Sequence, residues 1–215
     1  MTSIHAWHFL RDDGTTGNGG CKPEPGGTET WDGPLVICQS GLHASRRAID
    51  ALKYAPGALV RRVVISGKVV EGDDKLIGRK RRELWRVDAT ATLHEFACLC
   101  AEDALKVAKV EDPLCFAAIA AKRAWLRGEI TDSELYAAMD AAWATAMDAA
   151  WTAARVAAWT AAWDAAWDAA WTAAWAAAWT AAWAAAWAAA RVAAMDAQNK
   201  RLEKMLKELH EKGSK

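Results

Sequence analysis

None of the five cysteines in this 215-residue chain (Cys21, Cys38, Cys98, Cys100 and Cys115) pairs with another at C-x-x-C spacing. An odd number at these spacings argues against a disulfide framework and for small buried hydrophobes in a reducing compartment. A zinc site built from Cys21, Cys38 and a histidine is the weaker alternative, and no metal site is expected. Net charge is lacking as well: 27 basic residues balance 27 acidic ones, which removes a general pull towards nucleic acid or an anionic membrane. The opening residues, Met1 to Leu10, have neither a basic n-region nor a long apolar run. No signal peptide is expected, and the expected location is the cytoplasm of a bacterium or of something that grows inside one. Tyrosine and phenylalanine are scarce, at 2 and 3 residues, against 14 tryptophans. Ten of those tryptophans lie between Trp143 and Trp187, so the enrichment is a local repeat.

The first ninety residues read as a compact α+β unit of about four strands with a helix against them. Ile4 to Leu10 is a first strand, and Asp12 to Gly33, rich in Gly, Pro, Thr and Asp, is a long loop. Pro34-Leu-Val-Ile-Cys38 is expected to be a short buried strand. Gly41 to Ser45 is expected to turn into a helix with Ser45 as its N-cap, stopped by Ala55-Pro-Gly57. Ala58 to Val70 is the clearest β segment, broken at Ser66-Gly67, and Arg61-Arg62 imply one wet side. Glu71 to Asp74 is a turn, and Glu83-Leu-Trp-Arg-Val87 alternates like a half-buried strand. The run Arg79-Lys-Arg-Arg82, with Arg46, Arg47, Arg61 and Arg62, suggests a basic face. Acidic neighbours Asp73, Asp74 and Glu83 dilute it, and solvated charge is preferred to nucleic-acid binding.

Helices follow. Thr92-x-x-Glu95 reads as a capping box before an apolar run, and Asp112-Pro113 opens a helix that Gly128 ends. Thr131-x-x-Glu134 is a second capping box, with no stop signal until Gly213. From about Ala137 to Ala197 the chain repeats Ala-Ala-Trp-x, the third slot holding Trp, Met or Arg. The near-identity of the units suggests a short tandem that expanded in whole units.

Helix is the expected state of the repeat, because Ala has the best propensity, no Gly or Pro intervenes, and each Trp meets the next at i+4. Four residues advance a helix by about 400°, so the Trp stripe drifts by roughly 40° per unit. Holding that stripe on one seam requires a right-handed supercoil, since the repeat exceeds 3.6 residues. A full correction would need a pitch near ~50 Å against ~150 Å for heptad coils, so a mild twist shared among several neighbours is expected. Exposed, the stripe is an apolar patch larger than soluble monomers carry. Trp143, Trp151, Trp159, Trp163, Trp167, Trp171, Trp175, Trp179, Trp183 and Trp187 are therefore expected to drive a homo-oligomer of three or more helices. Membrane insertion through the uncharged stretch Ala169 to Ala190, and a self-folded hairpin, are the disfavoured alternatives. Leu202, Met205, Leu206 and Leu209 lie at helical spacing after the repeat and read as an amphipathic cap for that bundle.

Pro34-Leu-Val-Ile-Cys-Gln-Ser-Gly-Leu-His-Ala-Ser45, Ala51-Leu-Lys-Tyr-Ala-Pro-Gly57 and Gly72-Asp-Asp-Lys-Leu76, followed by alanine tetrads, resemble a family of uncharacterised phage and bacterial proteins. Its members carry a small N-terminal domain of unknown function and tails of Ala-Ala-Trp or Ala-Ala-Arg units. A remoter likeness is to the ADP-ribosyltransferase fold, through His8 (or His5), Gly41-Leu-His43-Ala-Ser45, Tyr54, the strand through Gly67, and Glu83. The chain departs from that pattern in lacking Gly after the first histidine and in its short spacing to Glu83. The resemblance implies a nicotinamide near His43 and Tyr54 with Ser45 on the following helix, His8 bonding the ribose, and Glu83 stabilising a cationic anomeric carbon. NAD is the cofactor only under that reading; otherwise none is expected.

The reading that follows is a small α+β domain over 1–90, a helical connector over 91–130, and one very long tetrad-repeat helix over 131–212 in an oligomeric coiled coil or bundle. Its function is self-assembly that displays an N-terminal domain of unknown ligand. An NAD-using enzyme and a membrane-active phage protein are the alternatives.

Overall fold

The computed structural model describes residues 3–17, 20–108, 111–142 and 172–214. The chain is mixed α/β, with five strands in one antiparallel sheet and, among the described residues, five helices. It divides into two compact units, one of Met1–Phe96 together with Met195–Lys215, the other of Ala97–Ala194. The division differs from the expected boundaries at 90 and 130, because a late segment belongs with the strands.

In the first unit β1 (Ser3–Leu10), β4 (Leu59–Glu71) and β5 (Leu76–Asp88) form an antiparallel sheet. Short strands β2 (Thr28–Thr30) and β3 (Leu42–Ala44) pair end to end along the free edge of β5. Trp7 and Ser45 exchange two backbone hydrogen bonds, at 2.7 and 3.0 Å, on the other edge of β1. The strands β1, β4, β5 and β3 thereby close on one another. Their shared core is Ile4, Ala6, Ala44, Val63, Ile65 and Leu76. β4 and β5 were expected from β-branched alternation, but β5 starts well before Glu83. The Ser66-Gly67 break proves to be a register shift inside a continuous strand, with Gly67 at φ 82°. Gly78 is required by packing: a Cβ there would stand 2.4 Å from Ile65 Cγ2.

Two expected elements are overturned. Pro34 to Cys38 is a turn, not a strand: the N–H groups of Gln39 and Ser40 both donate to Val36 O, and Cys38 adopts φ 67°. Side chains capture the backbone that a ladder would need, since Ser40 Oγ and Trp31 Nε1 both donate to Pro34 O, at 2.7 and 3.0 Å. Gly41 to Ser45 leads into β3 instead of a helix, and Ser45 spends its backbone groups on Trp7. Helix α1 (Ala48–Leu52) begins later, with Arg47 at the N-cap position and no side-chain bond of its own to the first turn.

α2 (Thr90–Ala108) starts two residues before the Thr92 box, because Asp88 Oδ1 at the end of β5 accepts from Thr90 N and Oγ1. In the second unit, α3 (Pro113–Leu126) is capped as expected, with Asp112 Oδ1 accepting from Leu114 N at 2.8 Å. Gly128 ends it at φ 71°. α4 occupies 132–142 of the described residues, and the Thr131–Glu134 box forms in both directions, at 2.8 and 3.3 Å. Glu102 of α2 pairs with Arg123 of α3.

The last helix, α5 (Thr172–Gly213), is 42 residues long. Of the expected single helix over 131–212, 132–142 and Thr172–Gly213 are helical, and 143–171 lie outside the described residues. Among the described residues no helix is long and apolar enough to cross a membrane. The end of α5 does not read as a bundle cap. Leu202 and Leu206 are fully buried within the unit that holds the strands.

Candidate functional site

Paired residues on adjacent antiparallel strands point to the same face, so the register sorts the side chains of the first unit into rows. One face carries Ile4, Ile65, Arg81 and Glu29, then Ala6, Val63 and Glu83, then His8, Arg61 and Arg86. It begins as the apolar core and becomes a buried charge network one row later. Arg61 is wholly buried, which corrects the expectation that Arg61-Arg62 faces water. Arg61 Nη1 lies 2.9 Å from Glu29 Oε2 and 3.4 Å from Glu83 Oε2. Arg81 holds Glu29 through both oxygens at 2.7 and 2.9 Å, and Arg86 holds Glu83 through both at 2.7 and 2.8 Å. The loop before β2 is pinned over this network: Gly26 N donates to Glu83 Oε1, Glu83 N to Gly27 O, and Arg86 Nη2 to Pro23 O.

His8 closes the row, its Nδ1 accepting from Arg61 Nε at 3.2 Å. Burial first, then the charges of Arg81, Arg61 and His43, hold its pKa well below the ordinary histidine value, so the imidazole is neutral. His43 is pushed the same way by burial, and by Arg81 and Lys75, against the opposing bond to Gly41 O. Burial raises the Glu29 carboxyl, but the hydrogen bonds and charges of Arg81 and Arg61 outweigh it and keep the group below its usual value.

The sequence-derived residues are thus partly gathered. His8 and Glu83 meet through Arg61, and His43 joins them through its carbonyl, which accepts from Arg81 Nη1. Tyr54 is not among them. It is exposed, donates to Asp74 Oδ2 at 2.7 Å and lies under Lys75 Nζ. Ser45 is buried beside Trp7 by its backbone. Both oxygens of Glu83 are already engaged by guanidinium and backbone donors, which makes the carboxylate a strut between strands and loop. Arg81 is buried with Glu29, while Arg46 pairs with Glu71, so the basic run does not collect on one surface. Among the described residues no cluster of His, Cys, Asp or Glu is placed to hold a metal.

The opposite face carries Trp7, Arg62 and Trp85 in one row. The Arg62 guanidinium lies 4.5 Å from the Trp7 ring centre, and Trp7 meets Trp85 edge-on at 5.6 Å. Trp85 in turn stacks on His210 of α5 at 4.4 Å and 9°. Four polar contacts hold the same stretch of α5. Ile49 N donates to Asn199 Oδ1 at 3.1 Å and Ala48 N to Glu203 Oε1 at 3.4 Å, so two side chains one helical turn apart satisfy the first turn of α1. Arg47 reaches Asp196 at 3.1 Å and Met195 O at 3.3 Å. This seat for the α5 tail was missed at the sequence level. Its visible signal was the amphipathic stripe of Leu202, Met205, Leu206 and Leu209.

The expected oligomerisation residues divide by position. Trp175, Trp179, Trp183 and Trp187 lie in α5, while Trp143, Trp151, Trp159, Trp163, Trp167 and Trp171 fall outside the described residues. No known family model, curated protein or solved structure matches the chain.

Proposed function

We propose that the chain is a self-associating structural protein, in which the tetrad repeat joins copies and the strand-built domain is what the assembly displays. The observation that carries this reading is α5 itself. One uninterrupted helix holds the last Trp tetrads and the tail seated on the domain. Across Trp175, Trp179, Trp183 and Trp187 the stripe turns by only about 120° in total, a seam that one or two neighbouring helices can cover. Each indole buried there removes on the order of 200 Å² from water, worth several kcal/mol before ordering costs. The buried charge network supports the same division of labour, since its carboxylates are committed to holding strands and loop together.

Absolute mass by light scattering behind a sizing column, without detergent, tests it. The expected result is a discrete species several times the mass of one chain, dissociating when Trp175, Trp179, Trp183 and Trp187 are changed to Ala. A monodisperse monomer at micromolar concentration would overturn the proposal.

A further inference from the structure

The first unit is assembled from two pieces of chain, Met1–Phe96 and Met195–Lys215, with residues 97–194 between them. The strands complete their ladders without the later piece, so the tail binds to the domain as a helical peptide binds to a receptor. The fit is specific. Leu202 and Leu206 are fully buried, His210 lies flat on Trp85, and Asn199 and Glu203 cap α1. Asp196 and Glu203 bring negative charge to Arg47 and Arg62, which carry positive charge on the domain side.

We infer that this seat accepts the tail of a second copy of the chain, so that assembled copies exchange tails. The inference rests on the self-association reading above. The tail is joined to its own domain only through residues 97–194, and the advantage of an intrachain partner over a neighbouring one falls as the joining segment lengthens. Copies aligned through the tetrads bring one another's tails close as well, because tetrads and tail follow one another in α5. Every contact of the seat is reproduced when the tail comes from a neighbour, because each is made to residues 195–210 alone. Exchange then closes the assembly with contacts the monomer already possesses, which is domain swapping.

The test is cross-linking across the Arg47–Asp196 contact. Chains carrying only Arg47→Cys and chains carrying only Asp196→Cys are co-expressed, treated with a short bismaleimide, and mapped by mass spectrometry. A peptide linked through positions 47 and 196 can arise in that sample only between chains, whatever the native cysteines do. The expected result is that linked peptide at about a quarter of the yield from an equal amount of a double variant, the share that random mixing of the two chains allows; the double variant serves as control for the contact. Ile49→Cys with Asn199→Cys reads the same seat should the first pair perturb folding. Linkage confined to the double variant, in a sample that light scattering shows to be oligomeric, overturns tail exchange and leaves self-association standing. A monomeric mass without interchain linkage overturns both, and absence of linkage even in the double variants removes the seat itself.

Discussion

Asn199 Oδ1 accepts the backbone N–H of Ile49 at 3.1 Å, across 150 positions of chain. A five-residue helix too short to persist alone is thus capped by a residue from the far side of the repeat. Asn199→Ala should cost about 1 kcal/mol, the usual value of an N-cap. Leu206→Ala should cost more, about 2–5 kcal/mol, because it empties a buried site. Urea unfolding followed by circular dichroism would check both. Equal, negligible shifts would mean that the tail does not belong to the domain's cooperative unit.

Glu83→Gln should be among the most damaging single changes in the strands. It leaves Arg61 and Arg86 facing a neutral amide in a buried setting, a loss of about 3–5 kcal/mol. Glu71→Gln, which breaks the exposed pair with Arg46, should leave the unfolding midpoint unmoved. Similar effects from the two would contradict the burial described for Glu83.

Acid should destabilise the domain in two steps. His8 has a folded pKa well below 6.5, so the unfolded chain takes up a proton that the folded one refuses as pH falls through that value. Stability is full above this window and declines from about pH 7 towards 5. Glu29, with its folded pKa held below 4.5, contributes stability above 4.5 that is lost as pH falls through the folded value. His8→Gln keeps an acceptor for Arg61 and should shrink the upper step, to which His43 also contributes, while leaving the lower one unchanged in a melting series against pH.

Gly78→Ala should destabilise by about 1–3 kcal/mol through the clash with Ile65 Cγ2. Combining it with Ile65→Ala should recover part of that loss, giving a coupling of about 1 kcal/mol in a double-mutant cycle. Strict additivity would show that the two positions are not in contact.

Local signals were legible and remote ones were not. Asp112-Pro113, Thr131 with Glu134, and Gly128 act within a few residues of themselves, and each appears as expected. Pro34 to Cys38 misled because an apolar run looks like a strand until Ser40 and Trp31 compete for its carbonyls. Arg61 misled more instructively. A charged residue in a β run reads as solvent-facing, and only the register reveals Glu29 and Glu83 waiting on neighbouring strands. The amphipathic stripe at Leu202 to Leu209 was visible, but its counterpart was not, since Trp85 and the bare N–H groups of α1 lie more than a hundred positions away. For the candidate site, His8 and Glu83 were picked out and both contact Arg61, while the His43 carbonyl contacts Arg81. Arg61 and Arg81 were read as solvated charge, and both are buried.

The two-piece construction of the domain also sets a schedule. Strands β1 to β5 are synthesised first, and residues 97–194 must follow before the tail exists. At about 5–20 residues per second that interval is on the order of 5–20 s, far longer than a small sheet needs to fold. Throughout it, Trp7, Trp85 and the first turn of α1 stand without their covering helix. Nascent chains on one message pass through this window side by side, and the earliest tail to be finished meets several vacant domains, of which its own is only one.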